Sequence, residues 1–133
     1  MSSLHPAQIE AAEGAARILD IEFLNPPSLA DLARTLGISP YQLGRAFHRH
    51  HGVTMPTYVR RLRIARACAV LREAGMLVAE AALATGYASQ SAFVRAFQRE
   101  TGKTPGEFRN ASQSPSGAIS FTQGPARGRA AEE

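Results

Sequence analysis

Apolar residues recur at three- and four-residue intervals along most of the chain, and no stretch alternates polar and apolar as a strand would. Ile9, Ala12, Ala16, Leu19 and Phe23 form one stripe, predicting a first helix from Pro6 to Phe23 that Asn25-Pro26-Pro27 stops. Ser28 caps a second helix, with Asp31 three residues on, and Gly37 ends it. Ser39, Pro40 and Gln42 form a capping box with proline in the first helical position, which opens a third helix that runs to His51 and closes at Gly52. The longest helix is predicted from Met55 to Ala74, capped by Thr54 and stopped by Gly75. A fifth spans Val78 to Thr85 before Gly86, a sixth follows the cap Ser89 and ends at Gly102, and a short seventh runs from Pro105 to Arg109 behind Thr104 and Glu107. The fold class is therefore all-α. Beyond Asn110 the chain is rich in Ser, Gly and Pro, with Ile119 and Phe121 as its large apolar residues, and a disordered tail is expected over 111–133.

Comparing the chain with itself exposes an internal repeat. Arg45, Ala46, Phe47, Arg49, Gly52 and Tyr58 lie 50 residues before Arg95, Ala96, Phe97, Arg99, Gly102 and Phe108. Upstream the offset is 49, pairing Leu29 with Val78, Ala33 with Ala82 and Gly37 with Gly86, so the second turn holds one extra residue. Each copy is a short helix, a glycine-containing turn and a capped second helix with apolar residues at i and i+4, the pattern of a helix-turn-helix. The organisation this implies is a first helix plus helix-turn-helix over 1–53, a linker helix over 54–75 and a second helix-turn-helix over 76–110. A linker helix of about 19 residues is roughly 28 Å long, close to the ~34 Å between successive major-groove faces of a duplex, so one chain is long enough to address two grooves as a monomer.

Charge sharpens this reading. The net charge of +4 is unevenly spread: residues 1–31 hold one Arg against five acidic residues, whereas residues 34–109 hold twelve basic residues against four acidic ones. Fourteen of the fifteen basic residues are Arg, whose planar fork suits phosphate and guanine edges. A polyanion partner fits such a segment. The longest apolar runs fall far short of the roughly 20 residues a membrane helix needs. Neither a basic-then-apolar leader nor a second cysteine beside Cys68 is present, and a reducing cytoplasm is the expected setting.

Catalytic chemistry finds no foothold. The acidic residues are spaced as exposed helix charges, apart from Glu107 in its capping position, and no enzyme activity or cofactor is expected. His48, His50 and His51 lack the convergent partners a zinc site wants, so no metal is expected, and Cys68 between two alanines reads as a small buried hydrophobe.

With Leu43, Ala46 and Phe47 taken by the core, Tyr41, Gly44, Arg45 and His48 are left on the outer face of the third helix. In the sixth helix the outward set is Gln90, Ser91, Ala92 and Arg95, followed by Gln98 and Arg99. Arg45 and Arg95 are the expected guanine readers, each a bidentate donor to O6 and N7, with Tyr41, Gly44, Gln90 and Ser91 beside them at base edges. His48, Arg49, Arg63, Arg99 and Lys103 are the expected phosphate contacts. Arg60, Arg61 and Arg66 share the first turns of the linker helix with Arg63 and divide between phosphate, Glu73 and a helix end.

The segment Gly86-Tyr87-Ala88-Ser89-Gln90-Ser91-Ala92-Phe93-Val94-Arg95-Ala96-Phe97, followed by Gly102-Lys103-Thr104-Pro105 and Phe108-Arg109, resembles the most characteristic stretch of the AraC/XylS family of bacterial transcription regulators. Leu32-Ala33, Gly37, Ser39, Leu43, Phe47, Gly52, Tyr58, Arg63-Ile64, Ala67, Val70 and Leu71 extend the resemblance over about Ile9 to Arg109. It implies two helix-turn-helix subdomains that bind double-stranded promoter DNA, commonly to activate transcription with RNA polymerase. Many members carry a separate ligand-binding domain, for which this chain leaves no room, so no small-molecule effector site is expected within it. Gly44 departs from the longer polar residue usual there, and Ala81 from a bulkier aliphatic, which predicts a looser second subdomain. Two other readings stay open: a nonspecific or architectural nucleic-acid binder, and a helical module for an acidic protein partner.

Overall fold

Capping chemistry decides where the helices begin in the computed structural model, which describes residues 4–113. Among the described residues there are seven helices and no strand: α1 (Pro6–Glu22), α2 (Leu29–Leu36), α3 (Pro40–His51), α4 (Met55–Leu71), α5 (Val78–Ala84), α6 (Gln90–Thr101) and α7 (Pro105–Gln113). The tail expected over 111–133 falls outside the described residues from 114 onward.

Ser28, Ser39 and Ser89 each accept a backbone N–H three residues on, at 3.0, 3.1 and 3.1 Å, which satisfies donors that a helix start leaves orphaned. α5 has no such oxygen, because Leu77 stands at its cap. Glu80 compensates from inside the helix, its carboxylate accepting the Leu77 N–H at 2.7 Å. This acid is half a capping box rather than the plain surface charge its spacing suggested. A glycine with positive φ follows the first helix of each repeat, Gly37 at 77° as the cap of α2 and Gly86 at 78° one residue beyond the Thr85 cap of α5, a conformation that costs a residue with a Cβ more than it costs glycine.

Four helix ends differ from expectation, that of α1 by the single residue between Phe23 and Glu22. α4 stops at Leu71, three residues short of Ala74, because the Glu73 N–H turns to the Val70 carbonyl at 3.1 Å and tightens the last turn. α5 stops at Ala84 because Thr85, fully buried, donates its hydroxyl to the carbonyls of Ala81 and Ala82 at 2.8 and 3.1 Å. α7 runs on to Gln113 instead of ending at Arg109, since the chain offers no glycine or proline before Pro115.

The chain forms two compact units, one reaching to Arg63 and the other beginning at Ile64, so α4 serves both. In the first, α1 packs on α2 and α3, and its alanines, with Leu19, close over Leu32, Leu43 and Phe47. The approach is tight: a Cβ at Gly14 would stand 2.8 Å from Leu36 Cδ2. Polar ties reinforce it. The Tyr58 hydroxyl donates to Asp20 at 2.6 Å, and Arg63 donates to the carbonyls of Phe23 and Leu24 at 3.1 and 3.3 Å. His51 Nε2 lies 2.9 Å from the Ala12 carbonyl, which can only accept, so this nitrogen carries the proton.

In the second unit, α5, α6 and α7 pack on one another around Ile64, Cys68, Leu71, Ala81, Phe93, Phe97 and Phe108. The rings of Tyr87, Phe93, Phe97 and Phe108 follow one another at 5.7, 5.7 and 5.6 Å. The internal repeat survives as packing: Phe47 meets Tyr58 at 5.3 Å in one unit, as Phe97 meets Phe108 at 5.6 Å in the other. Burial pushes the Cys68 thiol up to about 11, against a smaller opposing pull from Arg72, so it stays protonated at neutral pH.

Two outcomes follow from this packing. Burial, with a further push from the Asp20 carboxylate, raises Tyr58 from 10.0 to about 12. The resulting stabilisation is present in full below pH 10.0 and drains away as the pH climbs toward about 12. Tyr58→Phe should cost about 1 kcal/mol in thermal melts at pH 7 and flatten that alkaline decline. α5 has no side-chain oxygen at its cap, and its Leu83 is 80% exposed, so its amides should exchange faster with deuterium than those of α2. Slower exchange in α5 would contradict this.

Candidate nucleic-acid interface

The rotation of α3 about its own axis follows from three buried residues, Leu43, Ala46 and Phe47, with Leu43 and Phe47 at 0% exposure. At 100° per residue the opposite arc carries Tyr41, Gly44, Arg45 and His48. Tyr41 is 71% exposed, and Arg45 and His48 are exposed beside it. The two long side chains form a pair: Arg45 Nη1 donates to the Tyr41 hydroxyl at 3.4 Å, and the guanidinium carbon lies 5.6 Å from the ring centroid. Such i, i+4 contact holds the cation near one position while keeping it open to solvent. Gly44 is half-buried, and a Cβ there would sit at ordinary contact distance, 3.9 Å from Leu29 Cδ2, so the gap between Tyr41 and Arg45 has room for a side chain.

α6 is set the same way by Phe93 and Phe97, both at 0% exposure. Gln90, Ser91, Val94 and Arg95 line one open recess on its outer side, which brings together three of the residues the sequence singled out and adds one it passed over. Val94 occupies the register of Gly44, 50 residues on, and that offset is the signal that would have found it. One turn further, Gln98 and Arg99 are exposed, and Lys103 is half-buried at the approach to α7. The N-termini of α3 and α6 lie beside these faces and add backbone N–H groups suited to phosphate.

Other expected contacts fare differently. Arg63 is half-buried, with its guanidinium on the carbonyls of Phe23 and Leu24 where α1 ends, a post that satisfies orphaned acceptors. Arg49 on α3 and Arg61 and Arg66 on α4 are exposed, and Arg60 donates to Thr57 at 3.3 Å. Arg34 is held by Asp31 at 3.0 Å, a pairing that, with Ser28, keeps the Asp31 carboxyl below its usual range. The histidines at the end of α3 diverge: His50 faces Glu13 at 3.2 Å, and His51 packs on Phe47 with ring centres 4.3 Å apart. No three His, Cys, Asp or Glu side chains converge as metal ligands among the described residues. No described helix is long and apolar enough to cross a membrane.

A helix-turn-helix domain family matches residues 32–111, more than half of the chain. The fold also superposes on an AraC-type DNA-binding-domain transcriptional regulator from Chromobacterium violaceum, with a TM-score of 0.72 at 25% identity over 84% of this chain and 99% of that one. The chain belongs to the AraC/XylS family. Within it, the HTH-type transcriptional regulator GlxA of Rhizobium meliloti is 32% identical over 110 residues, covering 83% of this chain and 33% of GlxA. The regulatory protein SoxS of Salmonella typhimurium is 30% identical over 92 residues, 69% of this chain and 86% of SoxS. This AraC/XylS chain thus spans a third of the length of GlxA and most of the length of SoxS.

The two possible roles of Arg63 separate experimentally. Removing two hydrogen bonds to helix-end carbonyls, Arg63→Met should lower stability by about 1 to 2 kcal/mol. It should leave the salt dependence of DNA binding unchanged, whereas loss of a phosphate contact would reduce the logarithmic salt slope by about 1.

Proposed function

We propose that this chain is a sequence-specific, double-stranded-DNA-binding module of a transcription regulator, which as a monomer lays α3 and α6 into two successive major grooves. The observation that carries the reading is the duplicated geometry: in each unit a capped helix is pinned by a buried phenylalanine and presents an exposed arginine two residues before it, Arg45 before Phe47 and Arg95 before Phe97. Arg45 and Arg95 each read a guanine through O6 and N7. Tyr41 steadies Arg45 and offers its ring edge to a neighbouring base, the absent side chain at Gly44 lets the α3 backbone approach closely, and Gln90 and Ser91 meet base edges beside Arg95. His48, Arg49, Arg99 and Lys103 bind phosphates and set the register. Arg63 is left out of that set because helix-end carbonyls occupy it. The expected output is activation, with RNA polymerase as the protein partner; the similarity to SoxS, a regulatory protein, supports a role in regulation.

Selection of bound duplexes from a random pool tests this directly. Two short boxes about one helical turn apart are expected, with Arg45→Ala weakening one and Arg95→Ala the other by about 1 to 3 kcal/mol each. Recovery of no motif, with a steep salt dependence indifferent to both variants, would make the chain a general polyanion binder instead. Binding to an acidic protein that survives the double variant would favour an interaction module.

A further inference from the structure

We propose that Val94 is a base-reading residue, taking the 5-methyl group of a thymine in the box that α6 addresses; this rests on the DNA-binding reading above. Val94 is the apolar member of a recess otherwise lined by Gln90, Ser91 and Arg95. One side of it packs against the core of the second unit, and it remains half-exposed on the other. The anchoring of α6 does not depend on it, since Phe93 and Phe97 are the fully buried residues of that helix. A β-branched side chain in a helix has essentially one χ1 rotamer, so the methyls at the recess are already in place and binding orders nothing further.

The two repeats place their apolar surface differently. In α3 the large group is Tyr41 and the next turn holds Gly44; 50 residues on, the same registers hold Ser91 and Val94. The arginine is common to both and the apolar contact has moved by one turn toward the C-terminus. Among the four bases only thymine presents a methyl group in the major groove, at C5, whereas cytosine presents an amino donor nearby that an isopropyl group would strip of water without replacing its hydrogen bond. Val94 therefore selects thymine over cytosine, while Arg95 selects guanine in the same box.

The experiment acts first on the DNA, so the protein's folding is not perturbed. In the selected duplex, the box weakened by Arg95→Ala is identified, and each thymine in it is replaced singly by deoxyuridine, which removes only the methyl. At one position wild-type affinity should fall by about three- to fivefold, the worth of one buried methyl group. Val94→Ala should bind the thymine and deoxyuridine duplexes equally at that position, even if its overall affinity or stability is lower. If no thymine of that box shows methyl dependence, or if Val94→Ala retains it, the inference fails while the two-box reading stands. If selection yields no boxes, the DNA-binding reading itself is overturned, and this inference with it.

Discussion

What the outer faces of α3 and α6 can each do depends on how each helix is rotated within its own unit, and that rotation is set by pairs of large residues one helical turn apart: Leu43 with Phe47, and Phe93 with Phe97, all at 0% exposure. Burial of each is worth about 1.5 to 3 kcal/mol, so turning either helix by a single residue position would expose two such groups at once. Serine caps fix where these helices begin and glycines fix where they end, so position along the axis is as tightly specified as rotation. The arginines are therefore aimed by residues that face away from them.

The units reach this result by different means. In the first, α1 acts as a brace, its alanines allowing close approach and its far end tied to α4 through Asp20–Tyr58 and through Arg63 on the Phe23 and Leu24 carbonyls. The second unit relies on the aromatic series from Tyr87 to Phe108, with the Arg72 guanidinium 5.4 Å from the last ring centre. One is held by polar ties across long sequence separations, the other by tilted and edge-on aromatic contacts.

That difference explains what could be read from the chain before its structure was known. Capping boxes, glycine stops and the repeat are local patterns, so the helix starts at Ser28, Ser39, Ser89 and Thr104 were legible, and so were the faces that follow from Leu43, Phe47, Phe93 and Phe97. The post held by Arg63 was hidden because its acceptors lie 40 and 39 residues away and are backbone oxygens, which no side-chain pattern reveals. Glu80 was misread because a leucine stood where a capping serine would have signalled the box. Val94 is invisible to a reading of the exposed face by polarity, because a recess is defined by shape. The end of α4 was decided by one carbonyl three residues back, a choice that periodicity does not encode.

The matched family region begins at Leu32, after α1 has ended. Yet Ala11, Ala15, Ala16 and Leu19 of α1 complete the core that Leu32, Leu43 and Phe47 begin. The region matched by the helix-turn-helix family and the stretch that shares one core are thus different lengths of polypeptide. A fragment cut at the first boundary would face water with an apolar floor and no lid, so it would be prone to self-association before it met any DNA.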